Sequence, residues 1–239
     1  MSEGRAASSA LPDLVYIVGP DASGHEELRY SLRSVAKNLP HRKVWIAGQV
    51  PAFISNIEGI DLKPHPEKFG NQRQSLTAAV NHPDVAEDII VFNDDHFVIN
   101  PLAGEIPCWH IGPTFDYLDF LAGRGKNNDW TEAVRATAEW VGGNPNCYEV
   151  HIPLRFSKGR LSALLGAYPD DQPLAYPGLY ELARGGIEGV LGHDVKSFPN
   201  SPEPDPNTPF LSSVDKYFES SPAGPIVRRL FPQKCEYEK

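Results

Sequence analysis

The sequence lacks any hydrophobic run long enough to cross a membrane. No apolar stretch in its 239 residues approaches the roughly 18 residues that such a span requires. Residues 1–12 also lack the apolar segment of a secretory signal and are rich in serine, alanine and glycine. We therefore expect a cytoplasmic protein with no membrane partner, in which residues 1–12 form a disordered tail.

Cysteine and positive charge are also scarce. The three cysteines, Cys108, Cys147 and Cys235, lie far apart with no CxxC spacing, so neither a zinc knuckle nor a disulfide framework is indicated. The chain has 22 lysines and arginines against 31 acidic residues, a formal net charge of -9. Nucleic-acid-binding proteins usually present a clustered basic surface. This charge therefore disfavours non-specific nucleic-acid binding and makes DNA a weaker candidate acceptor.

Strand and helix signals alternate in the first half of the chain, which predicts an α/β fold. The apolar, β-branched runs are typical of strands buried on both faces of a mainly parallel sheet flanked by helices. The 23 prolines, about twice the usual share of roughly 5%, concentrate later and predict a loop-rich C-terminal half. The length fits one domain over residues 13–239. We predict strands at 14–18, 43–48 and 88–93, and helices at 25–38, 71–81, about 130–141 and about 158–165.

Two adjacent carboxylates, Asp94 and Asp95, follow directly after the predicted strand 88–93. Like charges in a confined site raise each other's pKa unless a cation neutralises them. Mg²⁺ or Mn²⁺ suits this task, because these ions bind one or two carboxylates together with substrate phosphates. A solvated turn opened by Asn93 is the plainer alternative. The apolar residues on both sides of the pair favour a metal site.

Other polar residues lie where an open α/β sheet binds ligands. The loop after the first strand, with Gly19 and Asp21, is at a strand's carboxyl end. Arg29 and Arg33 share one helix face, so they either grip a phosphate or pair with nearby glutamates.

Three separated segments resemble the Stealth family of hexose-1-phosphate transferases, in which similar motifs occur in the same order. They are HEELRYSLRSV at 25–35, GQVP at 48–51 and IVFNDDHF at 90–97. The second half resembles small glycosyltransferase-like proteins of actinobacterial phages. The matching segments are YEVHIP at 148–153, FLSSVD at 210–215 and FPQKCEYE at 231–238.

The resemblance implies a GT-A-like, Rossmann-like fold, a nucleotide-sugar donor and a Mn²⁺ or Mg²⁺ cofactor. It implies that Asp94 and Asp95 bind the metal and the donor phosphate, and that Arg29 and Arg33 bind the donor. It also implies that His151 lies at the donor phosphate or the reacting centre. Without the resemblance, His151 is better interpreted as a partly buried structural histidine.

Further site residues follow from the way such enzymes are built. Lys68, Asn71 and Arg73 precede the Asp pair in the region where nucleotide-sugar enzymes commonly recognise base and ribose, although a polar surface loop is an equal interpretation. His193 is a candidate third metal ligand. The sequence does not identify the nucleophile or the base. The carboxylates that could serve as either are Glu149, Asp170, Asp171, Asp194 and Asp215.

We therefore predict a metal-assisted glycosyltransferase that moves a sugar from a nucleotide sugar to a virion protein or modified DNA, in the host cytoplasm if a phage encodes it. Glycosyl transfer is preferred because the Trp-Val-Asp-Gly block of the Stealth pattern is replaced by IVGPD at 17–21. Stealth-type transfer of a sugar 1-phosphate is the alternative. A non-catalytic binding or virion-associated protein is the alternative from another class.

Overall fold

The computed structural model describes most of the chain. It covers residues 11–19, 24–103, 105–183 and 189–239, without the side chain of Asp215. Residues 1–10 of the predicted tail and Asp21 of the predicted donor site lie outside this part. Among the described residues, no helix combines the length and apolar character needed to cross a membrane.

A five-stranded sheet forms the centre of the fold. In chain order, the strands β1 to β9 of the described residues are Asp13–Val18, Val44–Gly48, Glu58–Asp61, Asp88–Asn93, His96–Val98, Trp109–His110, Leu154–Ser157, Val190–Leu191 and Phe210–Ser212. The central sheet has the order β3-β2-β1-β4-β7. Its first four strands are parallel, whereas β7 runs antiparallel to β4.

The sheet confirms the predicted α/β class. Every residue of β1 and β2 is buried, as expected for strands covered on both faces. The order β3-β2-β1-β4 is that of Rossmann-like sheets, in which ligands bind where the strand order reverses. Here that point lies between β1 and β4, so Gly19 and Asp94, each directly after one of these strands, lie at the same edge.

Helices cover the sheet and extend beyond it. The helices α1 to α7 of the described residues are Glu26–Asn38, Lys68–Asn81, Thr114–Ala122, Asp129–Val141, Lys158–Ala167, Tyr180–Ala183 and Ala223–Leu230. The four predicted helices correspond to α1, α2, α4 and α5. The sequence interpretation missed α7, whose eight residues include Pro225 in the first turn, a position where proline is tolerated but which resembles a break.

Two small sheets hold the second half against the first. β5 pairs antiparallel with β9, and β6 pairs parallel with β8. The proline-rich segment 199–209 contains no helix or strand, as predicted. β5 therefore draws the C-terminal half to the point where the Asp94-Asp95 turn leaves β4.

Polar side chains on one face of α1 fix β5 in place. Ser31 Oγ donates to the carbonyl of His96. Ser34 Oγ accepts from the Val98 amide at 3.0 Å, and Asn38 Nδ2 donates to the Val98 carbonyl at 2.7 Å. All three side chains are buried, so these bonds satisfy backbone groups that the short strand leaves open. The helix thereby positions the turn that precedes β5.

Candidate active site

A cleft opens at the edge of the sheet where β1 and β4 end. It encloses about 560 Å³. Residues from both halves of the chain line it. Besides Gly19, the lining residues with polar side-chain atoms are His25, Glu27, His65, Lys68, Asn71, Gln72, Asn93, Asp94, Asp95, Trp130, Glu149, His151, Tyr176 and Lys196.

The predicted residues Asp94 and Asp95 have different surroundings. Asp94 is half-buried and lines the cleft. Asp95 is 8% exposed, and its Oδ2 accepts hydrogen bonds from Lys196 Nζ and, at 3.1 Å, from Ser212 Oγ. Burial acts to raise the pKa of Asp95, but the charge and hydrogen bond of Lys196, together with the nearby His96 and His151 rings, outweigh it and hold this pKa below its usual value. Asp95 is therefore an ionised carboxylate with a cation already beside it.

A third carboxyl group, that of Glu27, lies near Asp94 and Asp95 in the cleft. Glu27, in the first turn of α1, is buried and accepts a hydrogen bond from Ser213 Oγ. Burial and the nearby charge of Asp95 raise the pKa of Glu27 to about 8. Glu27 is therefore protonated at neutral pH and adds no negative charge to the cleft.

His151 faces the cleft from a strained backbone position. Its φ of 53° lies in the left-handed region, which a residue other than glycine adopts at some cost. Its Nδ1 lies 2.8 Å from Asp194 Oδ1. Burial opposes ionisation of Asp194, but the hydrogen bond and charge of His151 lower the pKa of this carboxyl. An ionised carboxylate only accepts, so Nδ1 carries the hydrogen of this bond, and in the neutral form of the ring Nε2 is the nitrogen with the lone pair.

The segment Asp194-Val195-Lys196 supplies two site residues. Asp194 was one of the carboxylates considered from the sequence, whereas Lys196 was not named there. Val195 is buried, and Lys196 lines the cleft on the opposite side of the extended chain. Asp194 Oδ1, besides bonding His151, accepts from the backbone amide of Lys196 at 2.9 Å. In the sequence, only the alternation of charged and apolar residues in this segment could have indicated that its two charged side chains belong to a site. Such alternation is common on protein surfaces, so it does not single the segment out.

Glu149 is a further carboxyl group in the cleft wall. Its Oε2 accepts from Trp130 Nε1 at 3.2 Å. Its Oε1 is buried without a hydrogen-bond partner among the described residues. Burial raises the pKa of Glu149, which favours the neutral acid. It was one of the carboxylates considered from the sequence.

Three of the predicted donor-binding residues, Gly19, Lys68 and Asn71, line the cleft. Lys68 is exposed at the start of α2. Asn71 Oδ1 accepts from the backbone amide of His65 at 3.2 Å, which orders the loop before that helix. The site therefore contains Asp94, Asp95 and His151 together with these three residues, although the sequence separates them by up to 132 positions (151 − 19).

Arg29 and Arg33 do not line the cleft, so their predicted donor contact needs correction. Arg33 binds both carboxylate oxygens of Glu238, at 2.6 and 2.9 Å. Arg29 pairs with the same carboxylate at 2.7 Å and lies over the ring of Phe53. The nearby glutamates that the sequence offered as partners are Glu26 and Glu27, but both arginines pair with Glu238 instead. The two arginines instead fasten the C-terminal segment to α1.

Arg73 and His193 also lie away from the cleft lining. Arg73 donates to the carbonyls of Pro169 and Tyr168 and forms an ion pair with Asp170 at 2.7 Å, so it holds the end of α5. His193 is exposed, and its ring lies 5.2 Å from that of Trp109. Their contacts correct the donor-binding role predicted for Arg73 and the metal-ligand role predicted for His193.

The predicted metal site does not fit the donor set in its proposed form. Asp95 Oδ2 already accepts hydrogen bonds from Lys196 and Ser212. His193 is not directed at the Asp pair, and the described residues contain no group of three His, Cys, Asp or Glu side chains that could hold a metal ion. A metal would have to take most of its ligands from substrate and water, with Asp94 as the cleft-facing carboxylate.

Comparisons with known proteins identify a partial sequence relative. No family model matches the chain. Over 92 residues, the chain is 37% identical to the capsular polysaccharide phosphotransferase LcbA of Aeromonas hydrophila. This match covers 34% of the chain and 25% of that protein, so the chain spans only about a quarter of its relative.

Solved structures give weaker likenesses. The glycosyltransferase GlyE of Streptococcus pneumoniae TIGR4 aligns with 44% of this chain and 31% of its own, at 12% identity and a TM-score of 0.29. Its apo form aligns with 75% of this chain and 40% of its own, at 10% identity and a TM-score of 0.33. Scores at this level carry no argument about function.

Proposed function

We propose that this protein transfers a sugar-bearing group from a nucleotide-activated sugar to an acceptor hydroxyl. One observation carries the proposal: His151, which is bonded to Asp194, and the Asp94-Asp95 turn line the same cleft, at the sheet edge where Rossmann-like folds bind nucleotides. The partial sequence match to a capsular polysaccharide phosphotransferase supports it.

In this proposal His151 is the general base. Asp194 fixes the ring and the tautomer, which leaves Nε2 to take the proton of the acceptor hydroxyl as that oxygen attacks. The bond from the transferred group to the nucleotide breaks, and the nucleotide leaves with the electron pair. The strained backbone of His151 agrees with such a role, because left-handed non-glycine residues recur at active sites.

The donor would lie along the first half of the cleft. Gly19 and Asn71 leave room beside the end of β1, where a Cβ added to Gly19 would be 3.7 Å from Asn71 Nδ2. Lys68 is an exposed cation at the same wall and would face the nucleotide phosphates. Asp94 would face the donor from the end of the neighbouring strand, β4.

We further propose that the transferred group is a sugar phosphate, because the protein matched at 37% identity is a phosphotransferase. The acceptor oxygen would then attack phosphorus, and a nucleoside monophosphate would leave. Glycosyl transfer is the second candidate, favoured by the IVGPD segment at 17–21, which departs from the Stealth pattern. It would release a nucleoside diphosphate and leave no phosphate between sugar and acceptor.

The acceptor and the metal are separate proposals. A virion protein or modified DNA follows from the phage resemblance, and the net charge of -9 favours protein over DNA. A divalent cation, Mn²⁺ or Mg²⁺, would be held by Asp94 and donor oxygens and would neutralise negative charge on the phosphates. No step assigned above to His151 depends on it.

Donor binding tests the proposal first. A panel of nucleotide sugars is added to the purified protein with Mg²⁺, with Mn²⁺ and with excess EDTA, and the melting temperature is followed. A ligand that binds only the folded state raises this temperature. Stabilisation by one nucleotide sugar, lost in an Asn71→Ala variant but kept in an Arg73→Lys variant, is the expected result. No stabilisation by any nucleotide sugar would reject the proposal.

A further inference from the structure

Lys196 is a cation built into the cleft. Its ammonium donates to Asp95, which precedes it by 101 residues, and the side chain is 16% exposed at the cleft lining. Removing two charges from water costs free energy that their attraction restores only in favourable geometry, so such a pair is weak evidence for a stabilising role. Its position in the cleft points to a role in binding.

The surroundings hold Lys196 next to the proposed base. Asp194 Oδ1 accepts from the backbone amide of Lys196 at 2.9 Å and from His151 Nδ1 at 2.8 Å. Ser212 donates to the Asp95 oxygen that also binds the ammonium, which fixes that carboxylate from a second direction. Asp194 therefore links the base to the backbone of Lys196, and Asp95 orients its ammonium.

We propose that Lys196 binds the donor's phosphate beside His151, and that Asp95 positions Lys196 instead of ligating a metal. The inference rests on the proposed function in taking the ligand as a phosphate ester or diphosphate. An ammonium on a flexible stem suits this ligand, because it is a point charge with three donors that can follow a moving phosphate oxygen. Glu27 and Glu149, with raised pKa values, add little repulsion toward an anion.

Inorganic pyrophosphate is the probe, and its affinity is measured by calorimetry in excess EDTA. The double variant Lys196→Met/Asp95→Asn removes both charges and so leaves no unpaired buried charge. The control, Lys43→Met/Glu58→Gln, removes an exposed pair of the same chemistry with a 3.1 Å contact outside the cleft. We expect the cleft variant to bind pyrophosphate about tenfold or more weakly, the loss of one charge-assisted hydrogen bond, and the control to match wild type.

Lys196→Arg, which keeps the charge, should retain most of the affinity. Equal affinity in wild type and the cleft variant would overturn the inference, and so would wild-type binding that requires Mg²⁺. Pyrophosphate binding requires no turnover, so the two proposals fail separately. Lys196-dependent binding without any group transfer refutes the proposed function alone, whereas transfer at the wild-type rate by the cleft variant refutes the role of Lys196 alone.

Discussion

Replacing His151 by asparagine separates the chemistry of this residue from its backbone strain. The position has a φ of 53°, and Asn56 already adopts a φ of 53° elsewhere in the chain. Asparagine tolerates the left-handed region well, whereas alanine would add roughly 1–2 kcal/mol of strain. His151→Asn should therefore fold with a stability close to wild type, within about 1 kcal/mol for one altered hydrogen bond.

The catalytic effect of this change should be much larger. A positioned general base contributes about 10²- to 10⁴-fold in rate, which corresponds to about 3 to 5 kcal/mol of activation free energy. Turnover of a donor identified in the binding panel is measured by release of its nucleotide, with water or a supplied alcohol as the acceptor. Donor affinity should change little, because His151 is proposed to take the proton of the acceptor, whereas other residues bind the donor.

His193→Asn provides the matched control, because it makes the same chemical change at an exposed histidine outside the cleft lining. This variant should keep wild-type turnover. The reasoning would be refuted if folded His151→Asn turned over within about threefold of wild type, well below the usual contribution of a general base.

Three further predictions concern charge. Glu238→Ala should lower the free energy of unfolding by about 3 to 5 kcal/mol, because it leaves the buried Arg33 without its carboxylate; an unchanged urea midpoint would contradict this. Glu27 binds a proton more tightly in the folded state. As the pH rises from 5 to the raised pKa of about 8, the free energy of unfolding should therefore fall by up to roughly 1.4 kcal/mol per pH unit. Glu27→Gln should remove that slope, and an identical pH profile would argue against a protonated Glu27. The Mn²⁺ titration of activity should be unchanged in His193→Ala, and a weaker Mn²⁺ dependence would restore His193 as a ligand.

The sequence predicts the sheet and one side of the cleft because both follow from local pattern. Buried parallel strands read as continuous apolar runs, and their carboxyl ends meet at one edge. Gly19 and Asp94 could therefore be placed together from the positions of β1 and β4 alone. β7 was missed because a four-residue antiparallel edge strand gives little pattern beyond the apolar residues at Leu154 and Phe156.

The charged partners were not predictable in the same way. Lys196 pairs with Asp95 across 101 residues, and Arg33 pairs with Glu238 across 205. Nothing local distinguishes these charges from those of a solvated surface, since the choice of partner depends on how the two halves of the chain pack. The helix face of Arg33 left a phosphate and a nearby glutamate equally open, and the resemblance then favoured the donor, although its carboxylate partner comes from the far end of the chain.

The resemblance motifs also combine structural and functional residues. Ser31 and Ser34 of the first motif hold β5, and Gly48 of the second has a φ of 129° at a position where a Cβ would lie 1.9 Å from the Val18 carbonyl oxygen. Only glycine fits there. The motif segments therefore contain residues that build the scaffold as well as residues, such as Asp94, that line the cleft.

The identity of the nucleotide released from the donor tests the central claim most directly. The nucleotide sugar that raises the melting temperature is incubated with wild-type protein and with His151→Asn. The products are then separated and identified by mass spectrometry. We predict a nucleoside monophosphate and a sugar phosphate joined to the acceptor or to water, both formed at least about 100-fold more slowly with His151→Asn. Release of a nucleoside diphosphate would contradict sugar-phosphate transfer and favour glycosyl transfer, and no nucleotide release from any donor would contradict the enzyme assignment itself.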